Sequence, residues 1–218
     1  MLQGLIRNVR ITALAAVACT LVFGTASARA EPIILFALGD SLTAGFGLEP
    51  GEGFPAQLEA ALIERGHDVR VIDGGVSGDT STGGLARLDW SLDPNTDAVI
   101  VELGANDALR GIAPSFTETS LDGILANLAD RDLPTLLAGM VAPPNMGAAY
   151  GDAFNPIYAR LAEKYDAIHY PFFLEGVAGD IALNLPDGIH PTAEGIGLIV
   201  ERMMPYVETL ISLVPDQG

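Results

Sequence analysis

Ser41, Asp187 and His190 are the side chains of this chain best suited to nucleophilic chemistry, with Gly78 and Asn106 placed to assist them. Ser41 follows an apolar run, Ile33-Ile34-Leu35-Phe36-Ala37-Leu38, within the segment Gly39-Asp40-Ser41-Leu42. Such a run reads as a buried strand, and the carboxyl ends of strands are where α/β sheets bind and react. A serine hydroxyl is a weak nucleophile until a base takes its proton and donors stabilise the resulting oxyanion. Asp187 and His190 lie close together in Asp187-Gly188-Ile189-His190-Pro191. A turn there can set the carboxylate against one imidazole nitrogen and leave the other facing outward, which is what a general base requires. His67, at a helix end, and His169, in a short strand, have no carboxylate in so constrained a relation.

Three donors are available for an oxyanion: the backbone N–H of Ser41, the backbone N–H of Gly78 in a loop open to close approach, and the side-chain amide of Asn106. Asn106 belongs to Gly104-Ala105-Asn106-Asp107, and Gly78 to Gly75-Val76-Ser77-Gly78-Asp79-Thr80-Ser81. Asp40, Asp79 and Asp107 read as structural, their short carboxylates holding loop backbones. Leu42, Leu109, Pro143 and Pro144 are candidate substrate-binding residues, and segments 140–150 and 172–186 are expected to shape an acyl groove. Each chemical segment taken alone is ordinary turn composition. Their combination, each at a strand end, points to catalysis.

The elements that must position these residues alternate. Strands are expected at 33–38, 68–72, 98–103, 134–140 and 167–170, and helices at 54–65, 80–92, 117–131, within 148–165 and from 191 to about 213. The stretch 171–189 reads as irregular, Pro191 as the first residue of the last helix, and Pro205 as its end or a kink. Strands alternating with helices predict a three-layer α/β/α sandwich on a doubly wound parallel sheet. In a sheet of order 2-1-3-4-5, Ser41 and Asn106 flank the same crevice, since they follow the first and third strands.

Residues 1–30 read as a cleaved export signal and residues 31–218 as one domain. Arg7 and Arg10 precede an apolar stretch at 11–23, and Ala28-Arg29-Ala30 fits a small-x-small cleavage site. The stretch is well short of the about 20 residues of a membrane-spanning helix. Lipidation at Cys19 is the weaker reading, because Ala16 stands where a larger aliphatic residue is usual. Cys19 is the single cysteine, so neither disulfides nor thiolate metal sites are expected after cleavage. The expected location is periplasmic or secreted, with no stable membrane anchor, and the expected state is a monomer.

The formal net charge is −17, and a signal carrying Arg7, Arg10 and Arg29 but no acidic residue leaves a still more negative protein. Such a body repels nucleic acid and anionic membrane surfaces. Lys164 is the only lysine. A saline habitat and a generic solvated acidic surface both account for this composition. No metal is expected, since no two histidines stand at ligand spacing. Two enzyme classes fail on spacing. The Gly-x-Ser-x-Gly elbow of α/β-hydrolases is broken by Thr43, and a Gly-x-Gly-x-x-Gly dinucleotide loop by Pro50.

The four segments around Ser41, Gly78, Asn106 and Asp187–His190 resemble the four blocks of the GDSL, or SGNH, hydrolase superfamily. With Gly84-Leu85-Ala86-Arg87-Leu88, Val101-Glu102-Leu103, Leu109-Arg110-Gly111 and Pro171-Phe172-Phe173, the chain is similar to the TesA-type branch of exported acyl thioesterases, lysophospholipases and arylesterases. Ala105 departs from it, standing where many relatives carry glycine. The resemblance implies a flavodoxin-like fold, a Ser-His-Asp triad and no cofactor. Small-molecule acyl esters or thioesters are the expected substrates, but members vary widely in acyl preference, so the particular substrate does not transfer. Two other functions compete: an acetyl esterase acting on sugars or cell-wall polymers, and an inert lipid- or glycan-binding protein.

Overall fold

β1 (Ile33–Gly39) lacks the alternation of a half-exposed strand because it is paired on both edges and covered on both faces. It runs parallel to β2 (Val69–Gly75) on one side and to β3 (Ala98–Glu102) on the other. β4 (Thr135–Ala138) and β5 (Ile168–Tyr170) extend the sheet to the order β2-β1-β3-β4-β5, parallel throughout. This is the expected order, and it puts the topological switch between β1 and β3. The computed structural model describes residues 31–215; the proposed signal segment, residues 1–30, lies outside the described residues.

The helices cover the two faces. α1 (Ser41–Ala44) is a single turn at the end of β1, and α2 (Phe54–Glu64) follows it. α3 (Ser81–Ser91), α4 (Ala105–Leu109) and α5 (Pro114–Ala129) come next. α6 (Ala148–Phe154), α7 (Ile157–Tyr165) and α8 (Ala193–Ser212) complete the chain. α2 packs beside α8, while α3 and α7 pack beside α5, giving the three layers. Leu35, Leu38, Ile100 and Leu136 from the sheet, with Leu58, Ile124 and Ile199 from the helices, are fully buried between them.

Several helix boundaries differ from the sequence expectation, each for a local reason. α5 starts a turn early because Pro114 occupies its first turn, where a missing N–H costs nothing. The helix expected within 148–165 is two, divided at Pro156. The last helix starts at Ala193 and not at Pro191, because Thr192 caps it by accepting the Gly195 N–H at 3.2 Å. Pro191 lies outside the helix and bridges to Asn184. α8 also runs through Pro205 without ending. An interior proline costs about 3 kcal/mol. Burial of Ile196, Ile199, Met203, Val207 and Leu210 along the same helix offsets it at roughly 1.5–3 kcal/mol each.

β2 reaches into the glycines expected to form a loop, and the reason is contact with α1. A Cβ on Gly75 would come within 2.4 Å of the Ala44 backbone nitrogen. The missing side chain therefore lets the turn that carries Ser41 lie directly against the strand leading to Gly78.

Candidate active site

α1 exists because of its ends. The Asp40 carboxylate accepts the Leu42 N–H at 2.9 Å, and Gly45, in the left-handed region, closes the turn through its N–H to the Ser41 carbonyl. A loop was expected here, since one turn is too short to leave a periodic pattern. Ser41 thus opens a helix, and its own N–H has no acceptor among the described residues. The same holds for Gly78, whose φ of +83° is one that a side chain would strain.

His190 approaches Ser41 from the loop before α8. Its Nε2 lies 2.9 Å from Ser41 Oγ, and its Nδ1 lies 2.7 Å from Asp187 Oδ2. With Nδ1–H donating to the carboxylate, Nε2 is left to accept the serine proton. The other Asp187 oxygen accepts the N–H groups of Ile189, at 2.9 Å, and His190, at 3.0 Å. The Ile189 N–H, then the His190 ring and the His190 N–H, hold the Asp187 carboxyl down at about 2. The loop itself is pinned by hydrogen bonds from Leu185 N–H to the His190 carbonyl and from Thr192 N–H to the Leu183 carbonyl.

Asn106 sits in α4 at the end of β3, across the crevice from Ser41. Its Nδ2 donates to Asp40 Oδ2 at 3.0 Å, which leaves its second N–H uncommitted. Asp107, fully buried, accepts Ser81 N–H, Ser81 Oγ–H and Thr117 Oγ1–H, and so ties α4 to α3 and α5. Asp79 accepts from Arg87 Nε at 2.7 Å, while Arg87 Nη2 holds the Gly39 carbonyl. The structural role expected for Asp79 and Asp107 is what these contacts describe.

A model of the GDSL-like lipase/acylhydrolase family matches residues 37–197, a span that includes Ser41, Gly78, Asn106, Asp187 and His190. The chain belongs to that family. It is 38% identical to the esterase TesA of Pseudomonas aeruginosa over 192 residues, covering 88% of this chain and 94% of that protein. It is 36% identical to thioesterase 1/protease 1/lysophospholipase L1 of Escherichia coli over 187 residues, covering 85% and 88%. Among solved structures, AlinE4, an SGNH-hydrolase family esterase, superposes with a TM-score of 0.71 at 48% identity, covering 82% of this chain and 96% of that one. The α/β fold is that of these SGNH hydrolases.

Within this family member the four candidate substrate-binding residues are not alike. Leu42 is 3% exposed and presents little surface to a ligand. Leu109 is 48% exposed on α4, while Pro143 and Pro144 lead into a short 3-10 turn, Pro144–Met146. Two residues escaped the sequence reading. Phe46 lies over the His190 imidazole, ring centroids 4.5 Å apart and planes tilted by 38°. Arg110 donates to the Gly78 carbonyl at 2.7 Å. Neither belongs to a periodic pattern, and only the Leu109-Arg110-Gly111 stretch carried any signal. Among the described residues no group of three or more His, Cys, Asp or Glu is arranged to hold a metal, and no helix is long and apolar enough to cross a membrane.

Proposed function

We propose that this chain hydrolyses carboxylic esters and thioesters through an acyl-enzyme on Ser41. The observation that carries the reading is the unbroken line from Ser41 Oγ to His190 Nε2, at 2.9 Å, and from His190 Nδ1 to Asp187, at 2.7 Å. His190 takes the Ser41 proton as Oγ attacks the acyl carbonyl, and Asp187 stabilises the imidazolium that forms. The N–H groups of Ser41 and Gly78 and the Asn106 amide hold the negative charge that develops on the carbonyl oxygen. Removing one such donor typically costs on the order of 3 kcal/mol of transition-state stabilisation. The tetrahedral intermediate collapses, and the alcohol or thiol leaves with the proton from His190. Water, deprotonated by the same base, then releases the acid and restores Ser41.

The relatives named as esterase and as thioesterase/lysophospholipase support this substrate class. The export reading of residues 1–30, with the catalytic domain in residues 31–218, rests on the Arg7 to Ala30 pattern. N-terminal sequencing of the protein recovered outside the cytoplasm tests it, with Glu31 expected as the first residue.

Steady-state kinetics on p-nitrophenyl esters from acetate to palmitate, alongside an acyl-CoA and a lysophospholipid, tests the substrate class. Turnover of both oxygen esters and the thioester is expected. Activity confined to acetate would replace this reading with an acetyl esterase, and no turnover of any ester would favour a binding protein.

A further inference from the structure

We propose that Asp40 is the positioning residue of the oxyanion site: its carboxylate fixes the side-chain amide of Asn106 with an N–H aimed at the reacting oxygen. The inference rests on the reading of Asn106 as an oxyanion donor. Asp40 is fully buried between α1 and α4, and its two oxygens have separate tasks. Oδ1 accepts the Leu42 N–H at 2.9 Å, and Oδ2 accepts from Asn106 Nδ2 at 3.0 Å. A carboxylate only accepts, so it takes the NH2 end of the amide and rejects its carbonyl end. The planar NH2 has two hydrogens in fixed directions, so committing one to Asp40 fixes the other.

Capping alone does not account for an aspartate here. Serine or asparagine would cap the Leu42 N–H about as well, without burying a charge. Glu102 makes the choice more costly. It is buried beneath Asp40 and accepts the Asp40 N–H at 3.3 Å and Thr43 Oγ1–H at 2.7 Å, while its Oε1 has no partner. Burial lifts the Asp40 carboxyl to about 6, with Asp79 adding to the rise and the Leu42 N–H, the Asn106 amide and His190 opposing it. What serine and asparagine cannot supply is an acceptor-only group facing Asn106.

Asp40→Asn tests this. The new amide oxygen can still accept the Leu42 N–H, but its NH2 then faces Asn106 and turns that amide over, bringing a carbonyl oxygen toward the oxyanion. The expected result is a kcat lower by about 100-fold, with KM within about twofold and a melting temperature no lower than that of the unsubstituted protein. In an Asn106→Ala background, the same substitution should change kcat by less than about threefold, because the group it acts through is gone. An equal fold loss in both backgrounds, or an unchanged kcat in the single variant, would overturn the positioning role. A normal kcat in Asn106→Ala alone would instead overturn the oxyanion reading beneath it. Should Asp40→Asn fail to fold, Asp40→Ser, which keeps a cap but cannot reach Asn106, takes its place in the same cycle with the same expectations.

Discussion

Asp187 holds His190 at two points and the residue before it at a third: its Oδ2 lies 2.7 Å from the ring Nδ1, and its Oδ1 accepts the His190 N–H at 3.0 Å and the adjoining Ile189 N–H at 2.9 Å. Backbone and side chain are thereby fixed by one carboxylate. Asp187→Asn should leave the turn formed, because an amide oxygen can still accept the two N–H groups. It removes the acceptor that selects the imidazole tautomer, so kcat on a p-nitrophenyl ester should fall by about 10³–10⁴-fold with KM little changed. A loss below tenfold would mean that His190 works without its carboxylate.

The raised Asp40 carboxyl makes a statement about stability. Its value in the folded protein, about 6, lies above the ordinary 3.8, so the folded state binds this proton more tightly than the unfolded state. Stability therefore falls as pH rises between those values and is not regained above them. Asp40→Asn abolishes that contribution, and it also removes the neighbouring charge that, after burial, helps to hold the Glu102 carboxyl above its usual range, an effect of the same sign. The melting temperature of the variant relative to the parent should rise by several degrees, on the order of 1–3 kcal/mol, between pH 4 and pH 8. A difference that stays flat or shrinks with pH would contradict the direction of the shift. The expected pairing, a variant more robust at neutral pH and far less active, marks a position held for chemistry at the expense of stability.

Phe46, half exposed, packs against the His190 ring, a contact that helps to hold the imidazole in place. Phe46→Ala should lower kcat/KM by about threefold to tenfold, in line with roughly 0.5–1.5 kcal/mol for an aromatic contact. Phe46→Tyr should restore most of it. An alanine variant as active as the parent would show that the loop bonds at Leu185 and Thr192 suffice to hold His190.

At Gly75 the obstacle to a side chain is the Ala44 backbone, which cannot rotate aside. Gly75→Ala should cost about 1–3 kcal/mol of stability in chemical denaturation, as overpacking does. It should also lower kcat, because the displaced turn carries Ser41. Loss of stability with unchanged kcat would show that α1 moves as a rigid unit with the strand.

The sheet was readable because β1, β3 and β4 are buried between neighbours and so carry short apolar runs, 33–38, 98–101 and 136–138, with glycine following soon after each. Ser41, Asn106 and the Asp187–His190 pair were readable for the same reason, each lying just past such a run or just before a capped helix. Less visible were relationships that depend on chain segments meeting in space. Asp40 and Asn106 come together only across the β1–β3 pairing, and Phe46 reaches His190 from a glycine-rich loop without periodicity. Leu42 shows the converse: its place next to the nucleophile suggested a substrate contact, but the α1 turn directs it into the core.

The nucleophile itself can be tested directly. After reaction with a fluorophosphonate, the intact mass should increase by one adduct, peptide mapping should place it on Ser41, and ester turnover should cease. Ser41→Ala should take no label and lose several orders of magnitude in kcat while melting normally. A Ser41→Ala protein that still hydrolyses esters at the parent rate, or an adduct on another residue, would contradict the acyl-enzyme on Ser41.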